Sequence, residues 1–451
     1  MAEKGLPGDG PPRDWEEFLS QTLSLAKASR EEWLGSSFNR FDVHLSRLIG
    51  GETEGEGLRG RLEEFLRGLA GVGRVSLSLD VARPGLGEGV EELNLVLADV
   101  AGGLMEKGCF QPALVVNIYP DTQWGSPSLE RWMGLSYRFG QPIFQNMATG
   151  TIRTESLDRL ASEEPHMEFL HLRLGGPTGC ADGQGVYGWG CINLHQLAMS
   201  VEGEEAFMEA LSRCFWEVVD ALSRRSRGIR SRWARGGMPF TLGLSNGLDW
   251  CFNVVSLTGA NEAFKHLVGA PLGHPVGKAL AYQVLELLRD LALEAQSTHG
   301  ELISIETYPS ESPGLKHPGL WGAVTPGTEL AADHGDDLWD ALEHQKKLHS
   351  LYTGGTLFEV HLDRGRRLTP GLKLLITRII EVYGFNYLAI SPRFALCPSD
   401  GYSQTLDRCF RCGGEVEEYT RVDGWLKPMS QLPEQIQRHR RRRVWFDVKS
   451  D

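Results

Sequence analysis

The sequence lacks any stretch approaching the roughly 18–20 apolar residues that a membrane-spanning helix needs. Its first residues, MAEKGLPGDGPPRDWEE, contain no apolar run of the signal-peptide kind. Neither a span nor a leader is expected, and a cytoplasmic location with reduced thiols follows. Excess basic charge is also missing. The net charge is -13, which argues against a nucleic-acid polymer or a membrane surface as main partner. A nucleotide is not excluded, since it needs only a local cationic pocket. There is no internal repeat and no low-complexity tract. What is present is ordinary for a globular chain: 41% hydrophobic and 23% charged residues in a length of 451, enough for one large core or two to three domains. The 54 glycines predict tight turns and close backbone approaches.

Residues 1–13 are rich in Gly and Pro and read as disordered. Helical spacing runs from Trp15 to about Leu34 and from Leu58 to Leu69. VSLSLDV (75–81) reads as a strand, ELNLVLADV (92–100) as a strand or a helix, and the ARPGLGEG between them as a loop. From Pro112 short apolar runs alternate with helical patterns. The runs are 113–119, 251–257, 302–308, 355–362 and 387–392; the helices lie near 203–225, 277–296 and 371–383. That alternation predicts an α/β core with parallel strands. After Pro392 the texture changes to a cysteine-containing loop region and a basic tail, so the expected division is 14–392 and 393–451.

The eight cysteines are 109, 180, 191, 214, 251, 397, 409 and 412. In a reducing compartment they are core fillers, metal ligands or reactive thiols rather than disulfides. Cys409 and Cys412 form a CxxC pair, and Cys397 precedes it by eleven intervening residues. Two thiolates on one turn and a third returning to them suit Zn²⁺, which takes four N, S or O ligands when its role is structural. The fourth cysteine is missing; Asp400, three residues after Cys397, can supply oxygen. Zinc is favoured over a bare cysteine turn. Cys109, Cys214 and Cys251 read as core.

Just beyond lies EYTRVDGWLKP (418–428). By composition Gly424 is a turn glycine between strand-like flanks. A cysteine hairpin, then R-V-x-G-[YW]-L, then a basic tail resembles the ending of anaerobic (class III) ribonucleotide reductases, a glycyl radical enzyme family. LEHQKKL (342–348) with LYTGGT (351–356), ISIETYPSES (303–312), LTGANEAF (257–264), PIFQNM (142–147) and YGWGCINLHQLA (187–198) resemble that family's segments in the same order. Together they cover about 112–445. The resemblance implies a ten-stranded α/β barrel of two parallel five-stranded halves, with a zinc-type loop and a glycyl radical loop at the C-terminal end. It implies a radical on Gly424, installed by a radical-SAM activating enzyme and passed to a cysteine. A planar radical delocalised into both flanking amides tolerates no Cβ crowding. A homodimer is left open.

The departures are specific. Where the family carries its thiyl cysteine this chain reads MEFLHLRL (167–174), which holds His171 and no cysteine. Cys180, in the glycine-rich GGPTGCADGQG, is favoured for the thiyl role, with Cys191 inside WGCINL as rival. The C-A-D triplet also resembles the finger loop of lyase-type glycyl radical enzymes. No N-terminal ATP cone is recognisable. The competing readings are therefore ribonucleotide reduction, a glycyl radical elimination or rearrangement of a small molecule, and a non-catalytic relative. Asn146 and Asn193 are expected to face a barrel interior, in substrate contact or in a structural network. Glu306 and Glu311 either bracket a substrate or are loop acids in water. Gly354 and Gly355 line a phosphate or turn the chain. RHRRRRV (438–444) is expected to be a solvated tail, or else a dock for the activating partner.

Overall fold

The computed structural model describes residues 10–50, 56–148, 185–244, 247–307, 325–330, 334–335, 337–354, 356–364, 367–403, 406–422 and 424–446. Cys180, His171, Glu311 and Gly355 lie outside them.

Four strands, β1 (Ser36–Phe38), β2 (Val75–Leu79), β3 (Ala113–Ile118) and β4 (Ile143–Asn146), pair in parallel in that order. β5 (Gly185–Asn193), β6 (Cys251–Thr258) and β7 (Leu302–Glu306) form a second parallel ladder. β8 (Leu357–Leu362) and β9 (Tyr387–Pro392) are parallel to each other, and β9 runs antiparallel to β4. Parallel neighbours need helical crossovers, and the chain supplies them. The segment at 92–100 is part of the helix Glu88–Glu106, which joins β2 to β3. The helix Pro127–Phe139 joins β3 to β4, starting on a Ser126 cap with proline at its first position.

Each strand sorts its residues by face. Leu77, Leu79, Val116, Ile118, Phe144, Val360, Leu388 and Ile390 pack with the helices in one core cluster. Val255, Leu257, Ile303 and Ile305 do so in a second, beneath the long helix Glu204–Ala234, whose Phe207, Leu211, Phe215, Val219 and Leu222 recur at helical spacing. The opposite face is polar and still buried: Ser78, Asn117, Gln145 and Ser391 on one sheet, Ser256, Ser304 and Glu306 on the other. Period-two alternation thus gives the strands an apolar side towards the helices and a hydrogen-bonding side away from them.

The expected ten-stranded barrel is not closed among the described residues. The ladders are separate sheets, one of six strands and one of three. β8 and β9 complete the sheet of β1–β4, and β5–β7 stand apart from it. Between β7 and β8 the link is made by Thr353 and Gly354, whose N–H groups both donate to the Ile305 carbonyl at 3.0 Å. Beyond Pro392 a four-stranded antiparallel sheet forms, ordered β11 (Gly401–Ser403), β10 (Phe394–Cys397), β12 (Glu417–Val422), β13 (Trp425–Pro428). Its Phe394, Leu396 and Leu426 belong to the core of the first sheet.

The basic tail is solvated only in part: Arg438, Arg441 and Arg442 are exposed, as expected, but two arginines are not. Arg440 and Arg443 are buried, and Phe446 pairs with Leu362 in a parallel bridge along β8. The helix Glu434–Arg441 carries the chain back to that edge. The sequence pattern did not announce this, because a run of arginines has no apolar periodicity.

Candidate active site and metal centre

Gly424 is buried at the two-residue turn between β12 and β13, where Val422 faces Trp425. Its φ is +76°, a backbone conformation that costs a residue with a Cβ. A glycine at such a hairpin turn is the expected turn chemistry. The turn is tied down by Arg421, three residues earlier, whose side chain is fully buried. Nη1 donates to the Gly424 carbonyl at 3.0 Å, Nη2 donates to the Gly140 carbonyl, and Nε donates to Ser391 Oγ at 3.2 Å. Glu359 Oε1 lies 3.8 Å from Nε. One guanidinium therefore clamps the glycine turn to the end of β9 and to the residue that follows the helix Pro127–Phe139. The residue stood in the R-V-x-G motif, but nothing in the sequence placed its partners.

Glu359 extends the network. Arg443 Nη1 lies 3.8 Å from Glu359 Oε2 and donates to His361 Nδ1 at 3.1 Å. Burial, with Arg440, Arg421 and His439 nearby, holds His361 well below the ordinary histidine range. A neutral imidazole accepting from Arg443 fits that, so the 3.6 Å contact with Glu359 is not an ion pair.

The metal ligands expected from sequence meet. One ligand atom from each of Cys397, Asp400, Cys409 and Cys412 falls within 4.8 Å of all the others. Cys397 Sγ and Cys412 Sγ are 3.5 Å apart, and Asp400 Oδ2 is 3.2 Å from Cys409 Sγ. A tetrahedral ion with Zn–S bonds of about 2.3 Å implies sulfur separations of about 3.8 Å, so the donor set fits. Short-range geometry builds the cluster. Cys397 ends β10 opposite Gly401 of β11, and the CxxC turn closes through Gly413 N–H to the Cys409 carbonyl at 2.8 Å. The Asp400 backbone amide holds the Cys397 thiol below its ordinary range, favouring the ligating thiolate.

A third group lies on the polar face of the three-stranded sheet. Cys191 is in register with Ser256, and Ser256 with Glu306, so in parallel ladders the three side chains share one face. Glu306 is fully buried at the end of β7 and accepts from Ser304 Oγ at 2.9 Å; it is not a loop acid in water. Gly354 lies over it: a Cβ there would stand 2.0 Å from Ser304 Oγ and 2.5 Å from Glu306 Cγ. The two asparagines serve the backbone. Asn146 Nδ2 donates to the Ile380 carbonyl at 3.0 Å, and its Oδ1 accepts from Ala148 N–H at 3.0 Å. Asn193 Oδ1 caps the helix Leu194–Met199 through Gln196 N–H at 3.0 Å.

A family model for anaerobic ribonucleoside-triphosphate reductase matches residues 1–446. The chain belongs to that family. Membership makes it an oxidoreductase of anaerobic ribonucleotide reduction, the glycyl radical class. The fold agrees. A solved anaerobic ribonucleotide reductase superposes with a TM-score of 0.75 at 15% identity, covering 98% of this chain and 77% of the other. The Thermotoga maritima enzyme in complex with dATP and CTP gives 0.74 at 14%, covering 95% and 79%. The same enzyme with glycerol in its active site gives 0.75 at 15%, covering 96% and 78%. Among curated proteins none matches. No helix of the described residues is long and apolar enough to cross a membrane.

Proposed function

We propose that the chain reduces ribonucleotides through a radical carried by Gly424. The observation that carries this reading is the buried glycine turn at positive φ, clamped by a fully buried arginine, in a chain of this family. A radical-SAM activating enzyme removes one Cα hydrogen from Gly424. The glycyl radical then takes the hydrogen atom of a cysteine thiol, and the resulting thiyl takes a hydrogen atom from the ribose of the substrate. The 2′-hydroxyl leaves as water, an external two-electron reductant such as a dithiol or formate supplies the electrons, and the thiol returns its hydrogen atom to the ribose. The chain's own contribution is to position these atoms and keep water and oxygen out. Residues 14–392 form the catalytic body and 393–451 the metal- and radical-bearing segment.

Cys180 is the proposed thiyl residue, on the segment joining β4 to β5. Cys191 is the rival, favoured by its place on the polar face beside Ser256 and Glu306. Glu306, Gly354, Gly355, Asn146 and Asn193 are the proposed substrate-side residues, with Glu306 the strongest because it is fully buried on the polar face that Cys191 and Ser256 share. Zn²⁺ on Cys397, Asp400, Cys409 and Cys412 would cross-link the base of the glycine hairpin; its role there is structural. A cytoplasmic location and a nucleotide substrate complete the reading, and a homodimer is compatible with it.

The test is anaerobic activation of the full chain with a radical-SAM partner, followed by EPR and by assay of deoxynucleotide formation. A glycyl doublet, oxygen-dependent cleavage at Gly424, and loss of both in Gly424→Ala are expected. A doublet that persists in Gly424→Ala rules out the assignment. A doublet without deoxynucleotide, with a ribonucleotide and a two-electron reductant such as a dithiol or formate both supplied, points to another substrate.

A further inference from the structure

A cavity of about 80 Å³ lies between β8, the helix Leu338–His349, the segment 325–330 and the returning C-terminal segment. Buried polar atoms in folded proteins nearly always find hydrogen-bond partners. Here three side chains lining one cavity keep atoms without any among the described residues: Gln345 Oε1, His349 Nδ1 and Arg443 Nε. Their residues or side chains are 2%, 4% and 7% exposed. Burial drives His349 down to about 3, so it is a neutral imidazole that offers one donor or one acceptor and no charge.

Arg443 decides what belongs there. Its nearest carboxylate oxygen among the described residues, Oε2 of Glu359, is 3.8 Å away, and the other oxygen of that carboxylate, Oε1, faces Arg421 at 3.8 Å. Its other contact is neutral His361. A buried guanidinium so weakly paired favours an anion over water alone, and it repels a metal cation. Gln345 Oε1 is an acceptor, so the guest must also bring a donor. The space admits a handful of heavy atoms by the measure that one water needs about 10–15 Å³.

We propose that this cavity binds a small oxyanion that carries its own O–H group, with hydrogen phosphate as the matching chemistry. The anionic oxygens face Arg443, and the O–H donates to Gln345 Oε1. The site does not depend on the radical assignment: Gln345 and His349 lie outside the glycine turn and its clamp, and Arg443 meets that clamp only through Glu359.

The experiment is titration calorimetry on the full-length chain with inorganic phosphate and with sulfate, which has no O–H near neutral pH. One phosphate per chain is expected, with sulfate at least about tenfold weaker, since one charge-assisted hydrogen bond is worth that much. Arg443→Gln and Gln345→Met should each weaken phosphate by at least about tenfold. Should Arg443→Gln fail to fold, Gln345→Met, which preserves helix propensity and volume, decides alone. Absence of phosphate binding, equal binding of sulfate, or unchanged affinity in Gln345→Met overturns the proposal. Competition of a ribonucleoside triphosphate with phosphate would assign the site to a nucleotide's terminal phosphate; no competition would assign it to a free oxyanion, and either outcome supports the oxyanion site.

Discussion

Arg421 shows how much depends on one side chain. Its forked donors reach two backbone carbonyls and a hydroxyl that belong to three separate parts of the chain. Removing it would take this donor from two backbone carbonyls and from Ser391 Oγ, which among the described residues would keep only Glu359, and would loosen the glycine turn. Arg421→Met should therefore cost about 3–5 kcal/mol, the usual consequence of breaking a buried charged network. Arg421→Lys should recover little, since an ammonium cannot reproduce the fork. Urea unfolding measures the cost, and limited proteolysis at 417–428 reports whether the hairpin stays docked. A loss below about 1 kcal/mol would reduce the clamp to a decoration. The sequence displayed this arginine within a motif but not its meaning. Ser391, Glu359 and Gly140 stand at distances of 30, 62 and 281 residues along the chain, beyond the reach of any local pattern.

At the scale of elements, legibility follows range. The cysteine cluster was readable because its ligands lie on two adjoining turns, and β10, β11 and the CxxC turn need only local geometry to bring them together. The strand–helix alternation was readable for the same reason. By contrast, the antiparallel contact of β4 with β9 joins segments far apart in sequence, and the alternation of faces alone does not say which strands meet. The metal centre gives a direct test. Cys409→Ser should remove most bound zinc from the purified protein, because three remaining ligands hold the ion far less tightly than four. Asp400→Cys should keep or strengthen it, and Asp400→Ala should weaken it without changing the secondary structure elsewhere. Metal analysis and zinc competition by a chelator measure this. Zinc content unaltered by Cys409→Ser would break the assignment. Chelation should also raise amide exchange along β10–β13, since thiolate coordination contributes folding free energy locally.

The whole molecule rests on a polar interior that composition could not reveal. Formal charges were expected at the surface, and many are there, yet Asp42, Asp80, Glu306, Arg421 and Arg440 are all buried. Arg440 and Arg443 of the tail were misjudged for this reason: charge was equated with solvent, whereas a closed interior can hold charges that pair with one another. Asp42 and Asp80 tie the helix Phe41–Ile49, the end of β2 and the helix Glu88–Glu106 into one unit. Asp42 Oδ1 accepts from Asp80 N–H at 3.0 Å, and Oδ2 accepts from Asn94 Nδ2 at 2.7 Å. Arg40 Nε and Tyr119 Oη donate to Asp80 at 2.8 and 3.0 Å.

Burial, with Asp80 beside it, pushes the Asp42 carboxyl from 3.8 up to about 6. The folded state therefore holds a proton that the unfolded chain releases earlier. Asp42's contribution is most favourable below about pH 4. It falls as pH rises from about 4 to about 6, and it is level above that. Roughly two units at about 1.4 kcal/mol each give a swing of about 3 kcal/mol. Other carboxylates have opposite slopes, so the wild-type curve alone does not isolate the effect. The stability of Asp42→Asn relative to wild type does. Asparagine can accept from only one of the two donors, which lowers stability by an amount independent of pH. On top of that offset, the variant should gain on the wild type steadily between about pH 4 and 6 and then run parallel to it. Urea unfolding across that interval measures the difference. Parallel curves throughout would mean that Asp42 is charged in the fold at pH 5 and that the network holds two adjacent carboxylates without the proton.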